Sequence, residues 1–522
     1  SCTDRKVTLA LLRRRALNTT DYKGPIVHNL GGPGADPLQL MPFDYGAGLH
    51  LELGHDHDLI AWDPRGGEQL FQCSSSLFDD LLTTTCQGIY RSRHPGVPGQ
   101  YEDHAAFLNE YRRYHLIESA SCEDLMGARG IQRYISTWHH AHDLHSIMEA
   151  LGQSRIRFHG ISWGTALGNY FATLFPDKVE RMILNSNIDI SLWTTGSLSS
   201  DFSDVEKILS RFFEECAGSS YCPIHEPTAE AVEARYENIM QLARFNSTHA
   251  ELTANWLIEP PLYSTLIGMT HRMMYRPEYG FPGFAAALLA VEDSAVRMAA
   301  TPESNLIAQE WTTRDDPDFD DNSYQDPHNP DHRYVFPNSG EEYTRCNDIV
   351  GGVSSNLDEM LENFEDASER HRAPGVELQF HWPCQGKPAS KSPFTGPFGG
   401  KTSHPILYIN TRLDPITPLV HAERNAKLFP GSGLVIAEGM GHTVYLGRNQ
   451  CAMEHARQYL QDGTMPEFGT TCANELPILW PPPGNGESGP GTLENMARRD
   501  SKSEALDKAS ADWEEKMRRF AW

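Results

Sequence analysis

Short apolar runs alternate with longer amphipathic stretches toward both ends of this chain. Pro25 to Leu30 is apolar and stops at Gly31-Gly32-Pro33-Gly34, and His57 to Asp63 stops at Pro64-Arg65-Gly66-Gly67. Trp138 to Leu151 carries its apolar positions at helical spacing and closes at Gly152. Arg155 to His159 predicts a strand leading straight into Gly160-Ile161-Ser162-Trp163-Gly164. Thr165 to Phe175 then predicts a helix, and Val179 to Leu184 a further strand. Strand, turn and helix in repetition predict an α/β fold with a mostly parallel central sheet.

The rhythm changes after Leu192. From there to Thr395 the chain reads as helical and loop-rich, with an acidic, strand-poor stretch from Asp315 to His332. Strand and helix return with His404 to Asn410, Leu419 to Leu428 and Gly433 to Ala437. Four segments follow: the first part of an α/β core (1–191), a large, mainly helical cap inserted into it (192–395), the second part of the core (396–480), and a linker with a charged tail helix (481–522). An insertion of this kind covers the carboxyl ends of the strands, where open α/β sheets bind their ligands. The linker is Pro481-Pro482-Pro483-Gly484-Asn485-Gly486. In the tail, Leu506, Trp513, Met517 and Phe520 recur at roughly helical spacing without the basic face of a membrane-surface helix. No internal repeat is present.

Charge and cysteine content narrow the setting. No apolar run approaches the roughly 18 residues of a membrane helix. The formal net charge of -26 over 522 residues disfavours nucleic acid and anionic membranes as partners. Ten cysteines occur, with no Cys-x-x-Cys pair; Cys216 and Cys222 are six apart, and Cys451 and Cys472 flank a short helical segment. Asn18-Thr19-Thr20 and Asn246-Ser247-Thr248 are glycosylation sequons. Together these predict a secreted or secretory-pathway protein, and a chain that starts at Ser1 fits removal of a signal peptide.

The candidate chemistry centres on Ser162. A serine at a sharp strand-to-helix turn exposes its hydroxyl, and Gly160 and Gly164 keep side chains out of the corner. Serine is a poor nucleophile at neutral pH and needs a base, which in turn needs an orienting carboxylate. Asp414 and His442 supply these in the expected chain order, each just past a predicted strand. A helix cap before Thr417-Pro418 is the structural alternative for Asp414, and a surface position for His442. The oxyanion needs two backbone donors. Trp163 N–H is one, and the loop Gly31-Gly32-Pro33-Gly34 offers the other, Gly32 first, with Gly31 and Gly34 open. This loop lacks the Lys-Ser/Thr of a nucleotide-binding loop. His139, His140, His142 and His145 crowd one helix, where packing outweighs metal binding because the helix just before a nucleophile strand usually packs on the sheet and a metal site would add an acidic or distant third ligand. Glu214, Glu215 and Glu292 are candidates by position for binding a substrate ammonium. Neither a metal nor an organic cofactor is expected, and the oligomeric state is open.

Gly31-Gly32-Pro33-Gly34, Asp63-Pro64-Arg65-Gly66 and Gly160-Ile161-Ser162-Trp163-Gly164-Thr165 resemble the proline iminopeptidase and tripeptidyl aminopeptidase branch of the α/β hydrolases. Gly441-His442, Cys451, Tyr459-Leu460, Gly463, Pro466, Gly469-Thr470 and Cys472 are similar to the C-terminal domain of the tripeptidyl aminopeptidases. Phe212-Phe213 with Cys216 and Cys222, Arg345-Cys346-Asn347-Asp348 and Trp382-Pro383-Cys384 also fit. The resemblance implies a secreted serine hydrolase. It also implies the disulfides Cys451–Cys472, Cys346–Cys384, Cys216–Cys222, Cys73–Cys122 and Cys2–Cys86. The chain departs from the family at Gly66-Gly67-Glu68-Gln69-Leu70-Phe71, and at Asn185-Ser186, where an Asp-Gly pair is common. Both lie near strand ends and predict a reshaped pocket. Three functions follow: an aminopeptidase-like acyl hydrolase; an esterase or acyltransferase on a small metabolite, including lactone closure; and a non-catalytic binding protein on a hydrolase fold.

Overall fold

The computed structural model describes residues 7–33, 37–66, 131–196, 201–250, 262–300, 339–350, 352–370, 396–443 and 449–473, with scattered residues between 105 and 120, at 372, 384–387, 394, 477–478 and 480. Among these, one sheet carries β1 (Leu11–Arg14), β2 (Gly24–Asn29), β3 (His57–Trp62), β4 (Ile156–Ile161), β5 (Val179–Asn185), β6 (Leu407–Leu413), β7 (Gly433–Met440) and β8 (Thr470–Cys472). The order across the sheet is β1-β3-β2-β4-β5-β6-β7-β8. Only the β1–β3 pair is antiparallel. The fold is that of an α/β hydrolase.

Successive residues of the central strands serve opposite layers. Ile26, Leu59, Ala61, Ile183, Leu407 and Val435 face helices Asp44–Leu53 and Gln450–Asp462. Their neighbours Val27, Ile60, Trp62, Leu184, Tyr408 and Leu434 face helices Thr137–Ala150, Trp163–Leu174 and Leu419–Leu428. Burial on both faces explains why these strands read as continuous apolar runs without alternation.

Helices Val205–Ala217, Ala229–Ala250, Leu262–Tyr275 and Pro277–Ala300 hold a second core around Phe212, Phe281 and Phe284. Leu413, Ile416 and Met440, at the ends of β6 and β7, pack against that core. It therefore sits over the carboxyl edge of the sheet. Helix Ser339–Asp348 returns to the main core. Buried Asp348 there accepts Thr137 N–H at 2.9 Å and the Trp193 indole N–H at 2.8 Å, and burial pushes its carboxyl up to about 7.

Several boundaries differ from the hydrophobic pattern. β6 starts at Leu407, beyond Pro405, and runs on to Leu413 because it pairs with β7 as far as Leu413–Met440. Helix Trp163–Leu174 begins directly after Ser162, two residues before Thr165. β1 and β8 are short edge strands that periodicity does not reveal. The linker and tail from residue 481 lie outside the described residues. No helix among those described is long and apolar enough to cross a membrane.

Candidate active site

Ser162 occupies the single residue between β4 and the helix that starts at Trp163, with φ 51° and ψ -121°. Positive φ is costly for any residue with a Cβ and persists only where the surroundings over-determine it. Here Ser162 N–H donates to the Asn185 carbonyl at 3.1 Å, and the Ser162 carbonyl accepts from Thr165 N–H at 2.9 Å and Thr165 Oγ1 at 2.6 Å. The flanking glycines are steric requirements. A Cβ at Gly160 would lie 2.4 Å from the Gly164 carbonyl oxygen, and one at Gly164 would lie 2.7 Å from that of Asn29.

Asp414 directly follows β6 and is fully buried. Its Oδ1 accepts Ile416 N–H at 3.1 Å and Thr417 N–H at 2.9 Å, so the carboxylate builds the very turn that a structural reading assigns to it. The same group meets His442: Nδ1 lies 2.9 Å from Oδ2 and 3.0 Å from Oδ1. Burial alone raises the Asp414 pKa. The facing His442 and the two backbone N–H groups outweigh it and hold the carboxyl below its ordinary value.

His442 lies two residues past the end of β7. Its N–H donates to the Tyr275 carbonyl at 3.1 Å, and its ring meets the Tyr275 ring edge-on at 5.1 Å. Thr417 Oγ1 lies 3.2 Å from Nδ1. Thr443 N–H donates to Ser186 Oγ at 2.8 Å, and the adjacent Asn185 carbonyl accepts Ser162 N–H. The serine corner and the histidine loop therefore converge on two consecutive residues at the end of β5. Ser186 itself has φ 58°, a conformation that glycine adopts freely. Its hydroxyl makes a tether that glycine lacks.

The loop after β2 packs on the serine corner. A Cβ at Gly31 would lie 2.9 Å from Ser162 Cβ and 3.3 Å from Trp163 N. Gly31 N–H is already engaged by Asn29 Oδ1 at 3.1 Å. Gly34 lies outside the described residues.

Other sequence candidates have different surroundings. Glu214 and Glu215 pair with Arg211 at 2.6 and 3.0 Å, and Glu292 pairs with Arg235 at 2.6 Å. His139 bonds Ser136, His140 bonds Thr344, and His142 and His145 pack on Phe175. These four rings thus serve packing and hydrogen bonds, His142 and His145 sharing Phe175. Cys451, His455 and Cys472 bring metal-type donor atoms within 4.8 Å of one another, but both sulfurs are spent in a disulfide. The chain also closes Cys216–Cys222 and Cys346–Cys384. Cys2, Cys73, Cys86 and Cys122 lie outside the described residues. Asn18 is exposed, and Asn246 falls within helix Ala229–Ala250.

Ser186 is the pocket departure that the sequence shows, whereas Asp204, Thr417 and Tyr275 are site neighbours that it does not single out. Thr417 was legible as the residue three past Asp414, the usual reach of an Asx turn. Tyr275 and Asp204 come from the helical segment, and only the tertiary fold brings them to the site.

The chain matches the alpha/beta hydrolase fold family over residues 87–222 and the TAP-like protein family over residues 375–472. It is 25% identical to serine protease Hip1 of Mycobacterium tuberculosis over 479 residues, covering 89% of this chain and 83% of the relative. Carboxylesterase B of the same organism is 23% identical over 482 residues, covering 89% and 82%. The tripeptidyl aminopeptidase of Streptomyces lividans is 26% identical over 186 residues, covering 35% and 32%.

Proposed function

We propose, from the premise that this chain is an α/β-hydrolase-fold serine hydrolase with a TAP-like C-terminal segment, that Ser162, His442 and Asp414 are its catalytic triad. Ser162 Oγ attacks the acyl carbon of the substrate. His442 takes the hydroxyl proton and returns it to the leaving group, while Asp414 holds the ring and stabilises the imidazolium. The N–H groups of Trp163 and Gly32 receive the oxyanion. Water then releases the acyl group from Ser162. The observation that carries this reading is the buried Asp414–His442 bond, tethered through Ser186 and Asn185 to a strained serine at a strand end.

The segment 192–395 acts as the cap, with Tyr275 against His442. The substrate is a peptide with a free N-terminus, a reading supported by the likeness to a serine protease and a tripeptidyl aminopeptidase. An ester substrate is the second reading. It is favoured by the equally extensive likeness to a carboxylesterase, and by the pairing of Glu214, Glu215 and Glu292 with arginines instead of a substrate amine. The three disulfides among the described residues and exposed Asn18 support an oxidising, secretory setting with glycosylation at Asn18 and Asn246.

Turnover of aminoacyl- and tripeptidyl-arylamides, compared with aryl esters, separates the two substrates. Cleavage of arylamides only when the α-amine is free is the expected result; cleavage of esters alone removes the peptidase reading. Ser162→Ala is expected to lower kcat at least ~10³-fold for either class. Full turnover by that variant removes Ser162 as nucleophile.

A further inference from the structure

Asp204 stands at the N-cap of helix Val205–Ala217, where an aspartate ordinarily accepts a hydrogen bond from the first turn of its own helix. It makes no such bond. Its Oδ2 instead accepts the Asp414 N–H at 3.2 Å, and its Oδ1 takes Lys207 Nζ at 2.7 Å. Asp204 is only 4% exposed, whereas the Lys207 side chain is 61% exposed. A second acidic side chain is thus buried against the backbone of the residue that orients His442.

The neighbouring residues brace the same loop. Asp201 pairs with His421 at 3.3 Å, behind the Asp414 turn. Phe202, between the two aspartates, is buried with φ 61°, a strained conformation for a bulky side chain. Its ring lies 5.6 Å from His271, which meets Tyr275 at 5.2 Å, and Tyr275 meets His442 at 5.1 Å. The segment 201–204 therefore touches the acid directly and reaches the base through two rings.

We infer that Asp204 is a positioning residue for the hydrolytic reaction: it fixes the Asp414 turn by its hydrogen bond, and its negative charge favours the protonated form of the Asp414–His442 pair. The inference rests on the triad reading above. The charged and titratable groups around the pair are Lys207 and Asp204 on the helical side, Tyr275 with His271 against the His442 ring, and His421 with Asp201, Asp189 and Arg424 behind the turn. Burial above all, with the Asp414 charge, raises the Asp204 pKa above its ordinary value, and Lys207 and the Asp414 N–H limit that rise.

The test is the pH profile of kcat/KM on the best substrate of the panel. Asp204→Asn keeps an acceptor oxygen for the Asp414 N–H and removes the charge. The acidic limb, where the base must lose its proton, should move to lower pH by roughly half a unit. Lys207→Gln alters only an exposed side chain and leaves Asp204 uncompensated, so its limb should move by less and to higher pH. This variant keeps the test open if Asp204→Asn does not fold. Unchanged limbs in the folded variants, or two shifts of the same sign, overturn the inference. Labelling of Ser162 by a fluorophosphonate probe in the wild type separates the outcomes. Labelling with unmoved limbs removes the role of Asp204 and leaves the triad standing, whereas no labelling removes the triad and Asp204 with it.

Discussion

Asp414 engages both carboxylate oxygens at once, shaping the 414–417 turn and holding His442. An asparagine there retains a carbonyl oxygen for the turn but loses the charge that stabilises an imidazolium, and its amide favours the wrong ring tautomer. Asp414→Asn should therefore lower kcat by about 10⁴-fold with little change in KM, the signature of an interaction made chiefly in the transition state. Steady-state kinetics alongside circular dichroism checks this; a tenfold loss or less places the orienting carboxylate elsewhere. Ser186 works on the same scale. The sequence shows it as a departure from an Asp-Gly pair, and its φ of 58° together with the bond to Thr443 N–H gives that departure a physical content. The backbone keeps the turn that glycine favours, and the added hydroxyl ties the histidine loop to the end of β5.

The elements that present the site depend on strand pairing at the sheet edge. β8 has only three residues, yet Cys472 at its end pairs in register with Ala437 of β7 and is joined by a disulfide to Cys451 of the helix Gln450–Asp462. The bridge spans 21 residues, so opening it should cost about 3 kcal/mol, mainly by freeing the unfolded chain. A Cys451→Ala/Cys472→Ala variant should show a lower Tm by scanning calorimetry and keep its room-temperature turnover, because Ser162 and Asp414 follow β4 and β6 and the His442 loop after β7 is held by Tyr275 and Ser186. A Tm equal to the wild type would mean that helix and strand packing alone secure the edge. Elements of this sort divide by legibility. β2 to β5 announce themselves as apolar runs because both faces are buried, and Ser162, Asp414 and His442 stand out because each follows such a run. β1 and β8 do not, since half-exposed edge strands carry little periodicity. Asp204 was hidden for another reason: an aspartate opening a helix reads as an ordinary cap, and only the tertiary fold turns it toward Asp414.

Across the whole molecule, the sheet and its helices bury many imidazoles in neutral form. His28 and His140 are held well below the ordinary histidine value, His159 falls to about 3, and His50, His139 and His421 to about 4; burial is the largest cause in each. The His159 ring, with its centroid 5.1 Å from that of His28, also lowers the His28 pKa. Each folded pKa lies below the unfolded one, so the contribution to stability is complete above about pH 6.5 and declines as acid protonates the unfolded chain first. Asp348 runs the other way. Its carboxyl is raised to about 7, so its contribution is complete below the ordinary carboxylate value and is lost as pH rises through about 7. The lowered imidazoles outnumber the raised carboxyls Asp348 and Asp204, which leaves the histidines in control, and Tm should fall steadily from about pH 6.5 to about pH 5. Replacing His159, the imidazole beside His28 and held lowest of those with a stated value, with glutamine should flatten that slope, because an amide takes up no proton in the unfolded chain. A Tm that is level or rising over the same interval would show that protons enter this core without opening it.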